Sequence, residues 1–333
     1  MSPLLDSILL RQIPDHLAAG VSSGDYKVYG SIIRSVSQGG IVGHLQETSA
    51  LSSMLGKGVF GLPELAGQAV SIVQNEQIKA AVSVVQSLQL ANLAVGVATI
   101  GVSVAGTALL ALQIRRVEAK VDELLPQLDA LVRGVDSLRR ERIAEDFTRL
   151  RTLADLLDEC WLLAGAAAEW RAIARDAHFL ADSFERRTRE LFETMRSDRL
   201  AGEPFTEGFA LASSLRITAR LAAGDDEAAR KAAESRVEIL RALGTGVQLA
   251  PLVLQSMSTV SESAGTEQWR DQLDRQTDQL RPLVVAARHR EISAAATNLT
   301  LDEIHRQGIA GRDWLDAARS EHENPLLFLP SSS

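Results

Sequence analysis

Apolar and polar positions along the chain fall into distinct regimes. Residues 26–29, 32–33 and 41–42 are β-favouring (Tyr26, Val28, Tyr29, Ile32, Ile33, Ile41, Val42) and enclose the turn sequence Ser37-Gln38-Gly39-Gly40, which predicts a β-hairpin with strands near 26–36 and 40–46. From Pro63, well placed as the first residue of a helix, the pattern becomes helical. Between Ala80 and Ile114 the polar face disappears, because this stretch holds no charged residue. Beyond it, Leu110, Ile114, Val117, Val121, Leu124, Leu128, Leu131, Val135 and Leu138 alternate spacings of three and four, an a/d seam that Pro126 interrupts. Residues 140–323 read as helices throughout, with breaks at Leu200–Thr206 and Gly244–Gly246 and a kink or end near Pro282. Gly224-Asp225-Asp226-Glu227 reads as the stop glycine and capping acid of a helix–turn–helix. Thr300 to Glu303 reads as a capping box opening a last short helix.

The expected fold class is therefore mainly α. It is an elongated helical bundle with one long apolar helix, a heptad-like segment and a small N-terminal β-hairpin. The expected division is an N-terminal segment 1–62, a long helix 63–139 that carries the apolar stretch 80–114 and the seam, a helical C-terminal domain 140–323 and a tail 324–333.

The apolar stretch is the clearest functional signal. As a helix, Leu93 to Leu112 would be roughly 30 Å long, the thickness of a bilayer's hydrocarbon layer. Its nine Leu, Val and Ile residues give roughly −3 to −5 kcal/mol of insertion free energy, part of which Gly, Ser and Thr offset. Leu93, Val97, Ile100, Val104, Leu109 and Leu112 are the candidate membrane-inserting residues. Asn92, Gly96, Thr99, Ser103 and Gly106 recur at steps of three and four and so share one helical face, suited to close helix packing or to a wet pore wall. Val117, Val121, Leu124, Leu128 and Leu131 are the candidate oligomer seam. The competing readings are a permanently buried core helix for the apolar stretch and an intramolecular bundle for the seam.

Composition narrows the partners. A net charge of −8 and the absence of a basic stripe interleaved with aromatics argue against nucleic acid. The one cysteine, Cys160, excludes an internal disulfide, and its helical context points to a buried core thiol. The six histidines are widely separated and no phosphate-binding or nucleophile motif occurs, so no catalytic residue, metal ligand or cofactor is assigned and an enzyme is not expected. The first residues carry no basic n-region and Asp6 and Arg11 break the apolar run, so synthesis without a signal peptide and later membrane association are expected.

Through Leu93–Leu112 and the seam Leu110–Leu138, the layout over roughly residues 64–200 resembles helical pore-forming toxins of the cytolysin A and Bacillus enterotoxin type. The resemblance implies an apolar segment hidden in the soluble form and released to insert. The expected role is a membrane-active or pore-forming effector that meets a lipid membrane and self-associates, with the C-terminal helices available to a protein partner. The alternatives are a single-span membrane protein with a cytoplasmic helical partner-binding domain, kept there by Arg115, Arg116, Lys120 and Arg133, and a soluble helical scaffold.

Overall fold

A computed structural model describes residues 8–10, 13–50, 137–194, 202–258, 264–324 and 326–332. The predicted apolar helix 80–114 lies outside the described residues, as does the seam up to residue 136.

Pro14 starts helix α1 (Asp15–Ser23), and Gly24, at φ 89°, ends it in the left-handed region that glycine tolerates. Strands β1 (Tyr26–Tyr29), β2 (Ile32–Ser35) and β3 (Ile41–Glu47) follow as an antiparallel meander. The single first strand read from the sequence is two strands, because Gly30 turns the chain at φ 57°. The turn predicted at Ser37–Gly40 joins β2 to β3, with Gly39 at φ 71°. Residues 324–333 are not a free tail. Strand β4 (Leu326–Pro330) pairs antiparallel with β3 from Gly43↔Pro330 to Glu47↔Leu326 and completes a sheet of order β1-β2-β3-β4. Its alternation explains why the sequence ends apolar. Leu327 and Leu329 face the helical core, while Leu326 and Phe328 join Ile13, Leu17, Ile33 and Leu45 on the other side.

The rest of the described chain is helical, as the periodicity predicts: α2 (Ser137–Glu159), α3 (Ala167–Thr194), α4 (Glu203–Ala222), α5 (Asp226–Gly244), α6 (Leu249–Met257), α7 (Glu267–Arg306) and α8 (Gly311–Ser320). Helix α4 is the centre. It is buried nearly all round, through Phe205, Phe209, Leu211, Leu215, Ile217 and Leu221, and α2, α3, α5 and α8 pack on it. Gly208 leaves room for the Phe184 ring, which a Cβ there would approach to 3.1 Å.

Three local expectations are corrected. Asp225 does not cap α5 with its side chain, because Arg171 and Arg220 take its carboxylate at 2.8 and 3.0 Å. Pro282 does not end α7, which runs through it to Arg306. The Thr300–Glu303 box lies inside α7, where Thr300 Oγ1 donates to the Ala296 carbonyl one turn back at 3.0 Å.

Thr300 and Glu303 instead dock the sheet on the helices. With its proton on Ala296, the Thr300 hydroxyl accepts from Ser31 Oγ (2.9 Å) and from His44 Nδ1 (3.1 Å), which fixes His44 as the Nδ1–H tautomer. Trp314 Nε1 donates to Gln46 Oε1 at 3.0 Å. The buried Glu303 carboxylate accepts the Ser332 N–H and hydroxyl, each at 2.7 Å, and Gln307 Nε2 at 2.6 Å, and pairs with Arg306. Where β3 ends, Thr48 Oγ1 donates to the Asn324 carbonyl, Ser49 Oγ to that of Arg319 at 2.8 Å, and the Ala50 N–H to that of Glu321 at 3.1 Å.

One stretch among the described residues, Asp226–Met257, is long and apolar enough to cross a membrane by length and composition. It spans α5 and α6, which are separate helices with Pro251 in the first turn of the second. Each is half-committed to the protein: α5 buries Ala229, Ala233, Arg236 and Leu240, and α6 buries Leu252, Val253 and Met257 beside Leu280 and Leu283 of α7.

Two outcomes follow. A Cβ at Gly43 would lie 2.3 Å from the Phe328 ring and 2.9 Å from the Leu329 carbonyl, whereas one at Gly40 meets nothing within 4 Å. Gly43→Ala is expected to cost about 1–3 kcal/mol in urea unfolding and Gly40→Ala less than about 0.5 kcal/mol. Burial lowers the His44 pKa from 6.5 to about 4. The unfolded chain then takes up a proton below about pH 6.5 that the folded chain refuses until about pH 4, so stability falls with acidification across that window. Wild type is expected to lose more stability between pH 7 and 4.5 than His44→Gln, by an amount on the order of 2–3 kcal/mol. Equal losses would contradict a buried neutral His44.

Candidate functional site on the α2–α3 hairpin

Helices α2 and α3 form a hairpin with one committed face and one open face. The committed face follows the three-to-four spacing of Ile143, Phe147, Leu150, Leu153 and Leu157 on α2, continued by Cys160 just past its end, and of Trp170, Ile173, Ala177, Leu180 and Phe184 on α3. Phe147 meets Phe184 at 4.8 Å and Phe205 of α4 at 6.3 Å between ring centroids. Asp146 holds the two helices in register, accepting from Ser183 Oγ at 3.1 Å and pairing with Arg187 at 2.8 Å.

The open face is a groove of about 450 Å³ between the two helices. Leu153 and Leu180 form its floor, Leu156 and Phe179 its apolar walls, and Glu145, Arg149 and Asp176 its charged rim. Phe179 is 64% exposed, which is unusual for a phenylalanine in the middle of a helix. The groove leads towards the tip of the hairpin, where the 3-10 turn Cys160–Leu162 runs into Leu163-Ala164-Gly165. Leu162 is 86% and Leu163 53% exposed, and Gly165, at φ 76°, turns the chain into α3.

The base beneath this tip is firmly built. Trp161 and Trp170 lie 5.2 Å apart. Arg312 of α8 sits 4.5 Å over Trp170, and Arg319 sits 4.8 Å over Trp161 while pairing with Asp158 at 2.8 Å. An apolar tip on a clamped aromatic base is suited to burial in another apolar phase, either a partner surface or the bilayer interface. The Cys160 thiol beside it is buried, and burial, with Glu169 and Glu159 nearby, pushes its pKa up and keeps it protonated and inert.

Other charged groups inside the helical body are structural. Arg290, almost fully buried, makes a two-pronged pair with Glu203 at 2.5 and 2.8 Å. Arg236 stands in the apolar face of α5 with Nε and Nη1 unpartnered, and burial draws its pKa down to about 10. Among the described residues no group of three His, Cys, Asp or Glu side chains could hold a metal ion.

The candidate membrane-inserting residues Leu93, Val97, Ile100, Val104, Leu109 and Leu112 lie outside the described residues. So do the small-residue face Asn92, Gly96, Thr99, Ser103 and Gly106 and the seam Val117, Val121, Leu124, Leu128 and Leu131. The exposed hairpin tip is a feature that periodicity alone passes over. Its signal is a break in phase: Trp161, Leu162 and Leu163 are consecutive apolar residues, and only one face of a helix can be covered. No protein family, curated protein or solved structure matches the chain.

Since Leu162 is 86% and Leu163 53% exposed, the double variant Leu162→Glu/Leu163→Glu is expected to unfold within about 1 kcal/mol of wild type. Trp170→Ala, at a fully buried ring, is expected to cost about 3–5 kcal/mol in the same urea titration. A double variant as damaging as Trp170→Ala would show that the tip is covered in the folded chain.

Proposed function

We propose that the protein is a membrane-active helical effector that inserts residues 93–112 into a lipid bilayer and self-associates there. The helical body from α2 to α8 serves as its regulatory or partner-binding part. The carrying observation is the charge-free run from Ala80 to Ile114, bounded by Lys79 on one side and Arg115 and Arg116 on the other. Its small-residue face, Asn92, Gly96, Thr99, Ser103 and Gly106, supports insertion as packed helices rather than as an isolated anchor. The exposed Leu162 and Leu163 add a second apolar contact on the folded body.

A second reading is a soluble helical scaffold. The groove lined by Leu153, Leu156, Phe179 and Leu180 favours it, since an apolar slot with a charged rim fits one face of a partner helix. The two readings separate on whether the protein resists carbonate extraction from membranes.

Ile100→Arg tests the first reading. A charge at the bilayer centre costs about 2.5–3.5 kcal/mol, comparable to the whole insertion gain of the segment. The variant is expected to stay folded, with an unchanged melting temperature, and to move from the carbonate-resistant membrane pool to the soluble pool. A parent that never enters the membrane pool, together with an unfolded variant, would show that Ile100 is a core residue of a soluble protein.

A further inference from the structure

The chain leaves the described body after Ala50 and re-enters it at Ser137, and both points are fixed to the same structure. On the outgoing side, β3 is hydrogen-bonded to β4 from Gly43↔Pro330 to Glu47↔Leu326. The residues that follow it are held by the 319–324 segment, through Ser49 on the Arg319 carbonyl and Ala50 on that of Glu321. On the returning side, Ile143, Phe147 and Leu150 of α2 enter the apolar core that also contains Leu327 and Leu329 of β4. His44 and Gln46 of β3 reach Thr300 and Trp314, far along the chain. The strands before residue 51 and the helices after residue 136 therefore share one sheet and one core.

A bilayer cannot pass between two halves of a hydrogen-bonded sheet. About 30 Å of hydrocarbon would separate the paired strands and leave their N–H and C=O groups without partners. From this we infer, resting on the membrane reading above, that residues 13–50 and 137–332 lie on the same side of the membrane and that the chain between them crosses it an even number of times. A single pass with a domain on each side is incompatible with the β3–β4 pairing. The intervening chain is long enough for two spans of about 20 residues.

Insertion on this inference leaves the folded body on one side of the membrane. No folded domain has to cross the bilayer, so a chain folded in solution can insert afterwards. With Arg115 and Arg116 at the membrane exit, the body is on the cytoplasmic face by the positive-inside rule.

The test uses the full chain in sealed vesicles, restricted to the carbonate-resistant fraction, on a Cys160→Ala background. Single cysteines replace Gln38, exposed in the β2–β3 turn, or Asp278, exposed on α7. A membrane-impermeant maleimide is applied before and after detergent. Both positions are expected to show the same accessibility, within about twofold, in intact vesicles and to change together on detergent addition. A position that labels from outside while the other gains more than about tenfold only after detergent would overturn the inference and leave membrane insertion standing. A protein absent from the carbonate-resistant fraction would overturn the membrane reading itself, and the inference with it.

Discussion

The pairing of β3 with β4 is the constraint on which the rest depends. It joins residues near position 45 to residues near position 328 and so turns a linear series of helices into a closed body. The pairing is tight rather than incidental. Gly43 allows the Phe328 ring and the Leu329 backbone to approach where any Cβ would clash, and the alternating β4 side chains serve two cores at once. Leu327 and Leu329 belong to the helical core, and Leu326 and Phe328 to the small cluster under α1. Buried polar groups then fix the position of the sheet on the helices: Ser31 and His44 on Thr300, Gln46 on Trp314, and Ser332 on Glu303. All but Ser332 are buried, so the buried ones cost stability if a partner is missing, and together they specify one register.

Away from this junction lie the buried charges and the exposed apolar residues of the helical body. The helical body buries one guanidinium against a carboxylate, in Arg290 with Glu203, and another with two unpartnered nitrogens, in Arg236. The described surface carries two apolar features, the Phe179 groove and the Leu162–Leu163 tip, the latter mounted on two tryptophans that Arg312 and Arg319 clamp. The charge-free run in the sequence is apolar as well.

The mainly helical architecture was legible because α2 to α5 keep clean three-to-four spacing and glycines such as Gly224 mark their ends. The β-hairpin was legible from β-branched and aromatic residues around Ser37–Gly40. The fourth strand was not, because Leu326–Leu329 reads as an apolar tail until its partner, nearly three hundred residues away, is known. The reading of Thr300–Glu303 as a helix start failed for a related reason. Thr-x-x-Glu signals a cap only when the preceding residues are not helical, and here the threonine and glutamate serve contacts to Ser31, His44 and Ser332 instead. The tip at Leu162–Leu163 was present in the sequence as a phase break, but exposure is a tertiary property that local spacing does not specify.

Insertion of the apolar run, as proposed, requires β3 and β4 to stay paired while the run is in the membrane. Cysteines at Gln46 and Leu327, directly opposed on β3 and β4, test it on a Cys160→Ala background in membrane-extracted full-length protein. The account predicts an intramolecular disulfide under mild oxidation in the carbonate-resistant fraction, as readily as in the soluble fraction. A disulfide that forms in solution and fails to form in the membrane fraction would contradict it.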